Sequence, residues 1–438
     1  IYLKPNEILV QKGQIIGYTG RTGGFVSPHL HFEIRNSATE KVINPMHFGI
    51  FPRDTIPPVF NALFAYPLQN DSRIFQSNKK TNIPFKKLKD NTFRTDEISA
   101  NGLIGFGVNV FDRLNNARNK NGVYSLSVEI NGQEVYHHNL ETFSFAESKF
   151  INLLIDYPHL ATYKKRIQKL FKVAENKLNI YDKLIENGFL KIENGLNYIV
   201  KIKAKDFYGN TSSLIVPIKG VSNNVVFKEQ KDTTAYKIEY EKFYRFFSNN
   251  VHVAFPKNTF YEDLYLNFEV KNGIAKIHEP KLPLNKKFTL TFDVSDFSDL
   301  EKEQLYISYF KSKERPYYVT TTKRDSIFYT TSKTLGNYKL LVDKQPPSIY
   351  DLNFKDGQWI SNLSFLKVKI NDEDSGISSY YATIDDKWIL MEYDLKKKQL
   401  VYDFDDKKLV GSKHVFKIVV EDNVGNTNTI TKTFYKKQ

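Results

Sequence analysis

The stretch of this chain best suited to chemistry is Ser27-Pro28-His29-Leu30-His31-Phe32-Glu33-Ile34-Arg35. His29, His31 and Glu33 alternate there with Leu30, Phe32 and Ile34. On a β-strand this alternation turns the apolar three into a core and the polar three to the opposite face. Two imidazoles two residues apart on one face can both reach a single metal ion or its bound water. Two surface histidines with ordinary hydrogen bonds give the same short pattern, so His-x-His alone identifies nothing.

The flanks add context. Upstream lies Val10-Gln11-Lys12-Gly13-Gln14-Ile15-Ile16-Gly17-Tyr18-Thr19-Gly20-Arg21-Thr22-Gly23-Gly24, and downstream Val42-Ile43-Asn44-Pro45. With the His-x-His stretch, residues 7 to about 47 resemble the end of the lysostaphin-type zinc metallopeptidases, the peptidoglycan endopeptidase family. The resemblance implies that residues 1–50 are the C-terminal half of a catalytic domain with a partial peptidase β-fold. It implies that His31 is a zinc ligand and that His29 is the catalytic histidine that orients or deprotonates the attacking water. The family's other ligands, a His and an Asp, come from an upstream His-x-x-x-Asp motif. The implied activity is zinc-dependent cleavage of peptidoglycan peptide cross-links in the bacterial cell envelope, at the periplasm or outer membrane. Envelope peptidases of the Bacteroidota carry similar C-terminal modules.

This chain does not supply a full ligand set. A catalytic zinc takes three protein ligands and one open position. Within residues 1–53 the only further His is His47, there is no Asp, and the carboxylates are Glu7, Glu33 and Glu40. Zinc is therefore expected only together with the upstream ligands, and the chain as given is expected to be inactive alone. Two expectations cover the missing half. Either the sequence is a piece of a longer active peptidase, which the start at Ile1 and the retention of both histidines favour, or the natural protein kept a remnant.

The rest of the chain must position or extend this segment. It has 438 residues, no Cys, 34 Phe and 27 Tyr. Disulfides and thiolate metal sites are excluded. Aromatic richness and many Asn-Gly and Asp-Gly pairs, such as Asn131-Gly132, Asn272-Gly273 and Asp356-Gly357, predict an all-β protein of short antiparallel strands. The formal net charge is +14. Its lysines are spread without a dense block, so a solvated basic surface is expected and a nucleic-acid partner is not. No apolar run reaches the length of a membrane span.

Three β-sandwich modules of immunoglobulin-like type are expected after the first segment, over 54–220, 221–342 and 343–438. The first and third begin alike, with Asp54-Thr55-Ile56-Pro57-Pro58 and Asp343-Lys344-Gln345-Pro346-Pro347. Both continue through a strand that ends on Asp, Val110-Phe111-Asp112 and Ile370-Asn371-Asp372. Both close with Asp-x-x-Gly-Asn, at Asp206–Asn210 and Asp422–Asn426, which predicts a turn before the last strand. The middle block alternates without these landmarks and reads as a divergent sandwich. Apolar spacing at Leu160, Tyr163, Ile167, Leu170, Phe171 and Ala174 predicts one amphipathic helix inserted near 157–174.

Two functions fit. One is the zinc endopeptidase, with peptidoglycan as partner. The alternative is a non-catalytic envelope scaffold or binding protein whose immunoglobulin-like modules dock onto an envelope protein complex. Those modules carry no nucleophile constellation and no phosphate loop, and His137-His138 is expected to be an exposed pair on a hairpin.

Overall fold

Among the described residues, alternating apolar residues build three large cores along the chain, and a small fourth cluster forms around Leu154, Leu178 and Ile180. A computed structural model describes residues 4, 6–17, 30–50, 53–222, 233, 234, 236–311 and 314–437. The first core centres on Leu63, Val108, Val200, Ile202, Leu214 and Val216. The second centres on Val253, Ile277, Phe288, Leu290, Ile307 and Tyr338. The third centres on Leu366, Val368, Leu400, Phe416, Ile418 and Phe434. All of these side chains are fully buried. Each contributes about 1.5–3 kcal/mol relative to exposure. The protein is all-β, and its longest helix, Tyr157–Tyr163, has 7 residues. Among the described residues no helix is long and apolar enough to cross a membrane.

In the first sandwich the long strand Ile98–Phe111 joins both layers. One end pairs antiparallel with Val59–Pro67, and the other pairs parallel with Thr211–Gly220. From Thr211–Gly220 the sheet continues through Asn197–Lys205 and Ser125–Ile130 to Gln133–Asn139. The second sandwich is two five-stranded sheets, built on Phe288–Asp293 in one layer and Gly336–Val342 in the other. The third pairs a four-stranded sheet with a five-stranded one whose centre is Lys413–Asp422.

The Pro-Pro starts lie where no ladder donor is required. They are pinned instead through their carbonyls. Pro58 O accepts from Ser212 Oγ at 2.5 Å, and Pro347 O accepts from Asn428 Nδ2 at 2.8 Å. Both donors sit at the start of the last strand of their module, so the repeated landmarks pack against each other.

The insert differs from the expected long helix. The helix starts on an Asp156 cap, whose Oδ1 accepts from His159 N at 3.0 Å, and ends at Tyr163. Lys164 takes a left-handed conformation (φ 57°) and closes the last turn onto Leu160 O. Beyond it, Gln168–Lys169 pairs with Val108 and Gly107 of the long strand. Ile167, Leu170 and Phe171 are buried, but they flank this two-residue strand and lie outside any helix. Their helical spacing was coincidental, because main-chain pairing to the neighbouring strand outweighs periodicity over so few residues. Gly105 makes room for this cover: a Cβ there would lie 2.5 Å from Phe171 Cδ1.

The expected half-peptidase sheet is not what the described part of residues 1–50 forms. A turn does form at Lys12-Gly13, with Gly13 at φ 88° and Gln14 N donating to Gln11 O. The flanking apolar residues are not buried, however; Ile16 is 82% exposed and Leu30 81% exposed. Among the described residues of this segment, strand structure is limited to Ile34–Arg35 and Val42–Ile43, paired with each other. Val42–Ile43 also pairs with Thr142–Phe143 of the first sandwich. The segment therefore pairs with one short strand of the next module in a separate three-stranded sheet, and Leu30 and Phe32 are exposed.

Candidate metal centres

The repeated aspartates converge in space. Asp54 opens the first sandwich, Asp112 follows the long strand and Asp206 begins the closing turn. All three are at least 95% buried, and one carboxylate oxygen from each lies within 4.8 Å of the others. Asp54 Oδ1 accepts three main-chain N–H groups, from Thr55 at 2.8 Å, Ile56 at 3.2 Å and Asn115 at 3.1 Å. Asp206 accepts from Asn210 N at 2.8 Å and from Asn210 Nδ2 at 2.7 Å. Two oxygens are left over. Asp54 Oδ2 and Asp112 Oδ1 are buried and meet no donor among the described residues.

Electrostatics at the cluster follow from this packing. Burial pushes the Asp112 carboxyl up to about 6; a main-chain hydrogen bond from Arg113 partly opposes this, and the neighbouring Asp206 and Asp54 charges add to it. Like charges in a low-dielectric site resist joint ionisation. A cavity of about 330 Å³ opens beside the cluster. The three aspartates line it together with Asn121 and Tyr124, and residues 44–46 of the N-terminal segment line it as well.

The third module repeats the arrangement with Asp343, Asp372 and Asp422, again within 4.8 Å. Here main-chain donors occupy more of the oxygens. Asp422 Oδ1 accepts from the N–H groups of Val424, Gly425 and Asn426 at 2.8–2.9 Å. Asp343 Oδ2 accepts from Ser375 N at 3.0 Å, and Asp372 Oδ1 accepts from Gly376 N at 2.7 Å. Burial raises the Asp372 carboxyl above its ordinary range. Reading the repeats as turn signals alone missed both clusters. The available signal was the recurrence of a third Asp, at Asp112 and Asp372, where a turn has no need of one.

The sequence-derived histidine site is not assembled in this way. His29 lies outside the described residues. The His31 side chain is 69% exposed, with Nε2 2.6 Å from Glu33 Oε1. Arg35 Nε donates to the other Glu33 oxygen at 2.8 Å. That Arg35 hydrogen bond, then the one from His31, hold the Glu33 carboxyl below its ordinary range. His47 pairs with Glu141 and packs on the edge of Phe207. Among the described residues His31 belongs to no group of three metal-capable side chains.

The histidine pair at 137 and 138 also differs from expectation. His137 meets Asp182 at 3.1 Å. His138 is 1% exposed, with its two ring nitrogens 2.9 Å from Tyr136 Oη and 2.8 Å from Gln168 Nε2. Burial, with a smaller push from His137, drives the His138 imidazole down to about 3. It is a neutral structural histidine linking the hairpin to the insert, since period-2 alternation must turn one member of an adjacent pair inward.

One more surface stands out. The chain's 2 tryptophans lie on the outer face of the same five-stranded sheet in the third module. Trp388 stands opposite Thr383, which stands opposite Lys417. Trp359 stands beside Tyr435, which stands opposite Lys413. Residues opposite each other across paired strands share a face. Trp359 is 52% exposed and Trp388 55% exposed, while the next residues, Ile360 and Ile389, are buried. The Trp359 and Tyr435 rings stack at 5.2 Å.

Comparison with known proteins corrects the family resemblance. Residues 235–343 match the family model of the Zu5-like domain. No peptidase family matches, and this overturns the assignment to the lysostaphin-type peptidases. No curated protein matches the chain significantly. Among solved structures, the chain is similar to fibronectin(III)-like modules of Clostridium thermocellum CbhA at 7% identity and a TM-score of 0.17. That match covers 78% of this chain and 90% of that one. It is similar to protocadherin gammaB7 EC3-6 at 11% identity and a TM-score of 0.18, covering 81% and 73%. It is similar to SGBP-B of the Bacteroides ovatus mixed-linkage glucan utilization locus, solved with a mixed-linkage heptasaccharide, at 9% identity and a TM-score of 0.14, covering 84% and 71%.

Proposed function

We propose that this chain is a non-catalytic scaffold and binding protein of the bacterial cell envelope, holding peptidoglycan on the outer face of its last sandwich. The observation that carries this reading is the placement of both tryptophans on that face. Exposed aromatic rings are costly in water, and Trp and Tyr concentrate binding energy where they are gathered on one surface. Trp359, Trp388 and Tyr435 offer flat apolar faces on which sugar rings stack. Lys413 and Lys417 lie between the two aromatic rows and suit the carboxylates of an anionic glycan. The net charge of +14 favours the same class of partner over long range. The other modules supply length and stiffness. Tyr261 of the second sandwich donates its hydroxyl to Lys149 O of the first module's insert at 2.8 Å, and its ring packs on Phe150.

The test is to incubate the purified chain with purified peptidoglycan, then measure both sedimented protein and released soluble fragments. The expected result is co-sedimentation without release. Release of fragments would refute the non-catalytic reading, and failure to sediment would remove peptidoglycan as the partner.

A further inference from the structure

We infer that Asp54, Asp112 and Asp206 bind a calcium ion, which braces residues 44–46 against the first sandwich. The inference concerns a different module from the glycan face and goes beyond that reading.

Three carboxylates are buried within 4.8 Å of one another. Unpaired buried charge is costly, and it persists only when a proton or a cation offsets it. Two of the three carry a buried oxygen with no donor among the described residues, Asp54 Oδ2 and Asp112 Oδ1. Hydrogen bonding accounts for three of the other four oxygens. Asp54 Oδ1 and both Asp206 oxygens are held by main-chain and Asn210 donors, which fix the carboxylates in place. What remains is one unsatisfied oxygen on each of Asp54 and Asp112, and both residues line, with Asp206, a cavity of about 330 Å³.

The donor set selects the ion. It is all oxygen, with no His or Cys, which disfavours zinc, copper and nickel. Calcium accepts six to eight oxygens in irregular geometry and keeps water where protein donors are few. Magnesium demands a regular octahedron, and donors from three separate loops, two of them already oriented by amides, do not provide one. The cavity leaves space for the remaining ligands, including water and the Asn121 side chain. Because residues 44–46 line the same cavity, filling it ties the N-terminal segment to the module.

The measurement is calcium binding and calorimetric unfolding of the full chain near neutral pH, after removal of metal with a chelator. With calcium about a hundredfold above its Kd, one unfolding transition should rise by about 5–10 °C. Asp112→Asn and Asp54→Asn, which keep shape and remove charge, should each bind one ion fewer per chain and lose that shift. Two variants are used so that one folding failure leaves the other decisive, and the wild-type scan needs neither. The inference is overturned if calcium moves no transition, or if both variants bind as much calcium as the wild type. Stationary transitions would mean that a proton on Asp112 fills the role instead.

Discussion

Asn210 reaches across the first module's junction, with Nδ2 2.7 Å from Asp206 Oδ2 and 3.1 Å from the main-chain oxygen of Asp54. Asn426 makes the same double contact in the third module, 2.8 Å from Asp422 Oδ2 and 3.3 Å from Asp343 O. One amide thus ties the closing turn to the opening residue of each sandwich. Asn210→Ala and Asn426→Ala should each cost about 1–3 kcal/mol, the range for stranding partly buried partners of a charge-assisted hydrogen bond. Chemical denaturation of the full chain checks this. A loss under 0.5 kcal/mol, about the scatter of neutral surface changes, would deny the tie its role.

Acid should weaken the first module through His138. Its folded-state value is depressed to about 3, against an ordinary value of 6.5. Below 6.5 the unfolded chain takes up a proton that the folded chain refuses. The stability contributed is therefore complete above about 6.5 and is lost progressively as pH falls toward 3. His138→Gln keeps hydrogen bonds to Tyr136 and Gln168 within reach and should flatten that part of the pH profile. An unchanged profile in the variant would show that other groups set it.

Asp112 carries the opposite sign in the metal-free chain. Its folded value of about 6 lies above the ordinary 3.8, so the folded state holds the proton longer than the unfolded state does. Stability from this group is full below about 4 and is lost as pH rises through 6. With chelator present near neutral pH, Asp112→Asn should therefore stabilise the first module, by about 1–3 kcal/mol at 1.36 kcal/mol per pKa unit. Destabilisation by this substitution under chelator would contradict the account of the cluster.

Gly105 should tolerate no side chain. Its Cβ would meet the Phe171 ring at 2.5 Å and Leu68 Cδ1 at 3.2 Å. Gly105→Ala should cost about 1–3 kcal/mol by overpacking. Phe171→Leu in the same chain should recover part of that loss, and calorimetry on the single and double variants reads both.

Much of the β architecture was legible because turn chemistry is local. Asn131-Gly132 and Asn272-Gly273 need only their own φ values, and both form the hairpins their sequences announce. The Asp-x-x-Gly-Asn turns are local in the same way. The recurring third Asp marked the aspartate clusters only indirectly, since Asp54, Asp112 and Asp206 meet only after a whole sandwich closes. The helix near 157–174 was overread for the complementary reason. Its apolar spacing is real, but Lys164 leaves the right-handed region and Gln168–Lys169 finds a strand partner sixty residues upstream. The apolar alternation of Leu30 and Phe32 carries no such information, because period 2 describes a strand that has a core to face. Leu30 and Phe32 face none.

The central claim is that the outer face of the last sandwich binds peptidoglycan without cutting it. The most direct measurement is a binding isotherm of the full chain on purified peptidoglycan, compared with the Trp359→Ala, Trp388→Ala double variant. Both side chains are about half exposed, so the third module should keep its unfolding temperature. Loss of two aromatic anchors should weaken binding by about tenfold or more, at 1.4 kcal/mol per factor of ten. A double variant that folds as well and binds as tightly as the wild type would contradict the account.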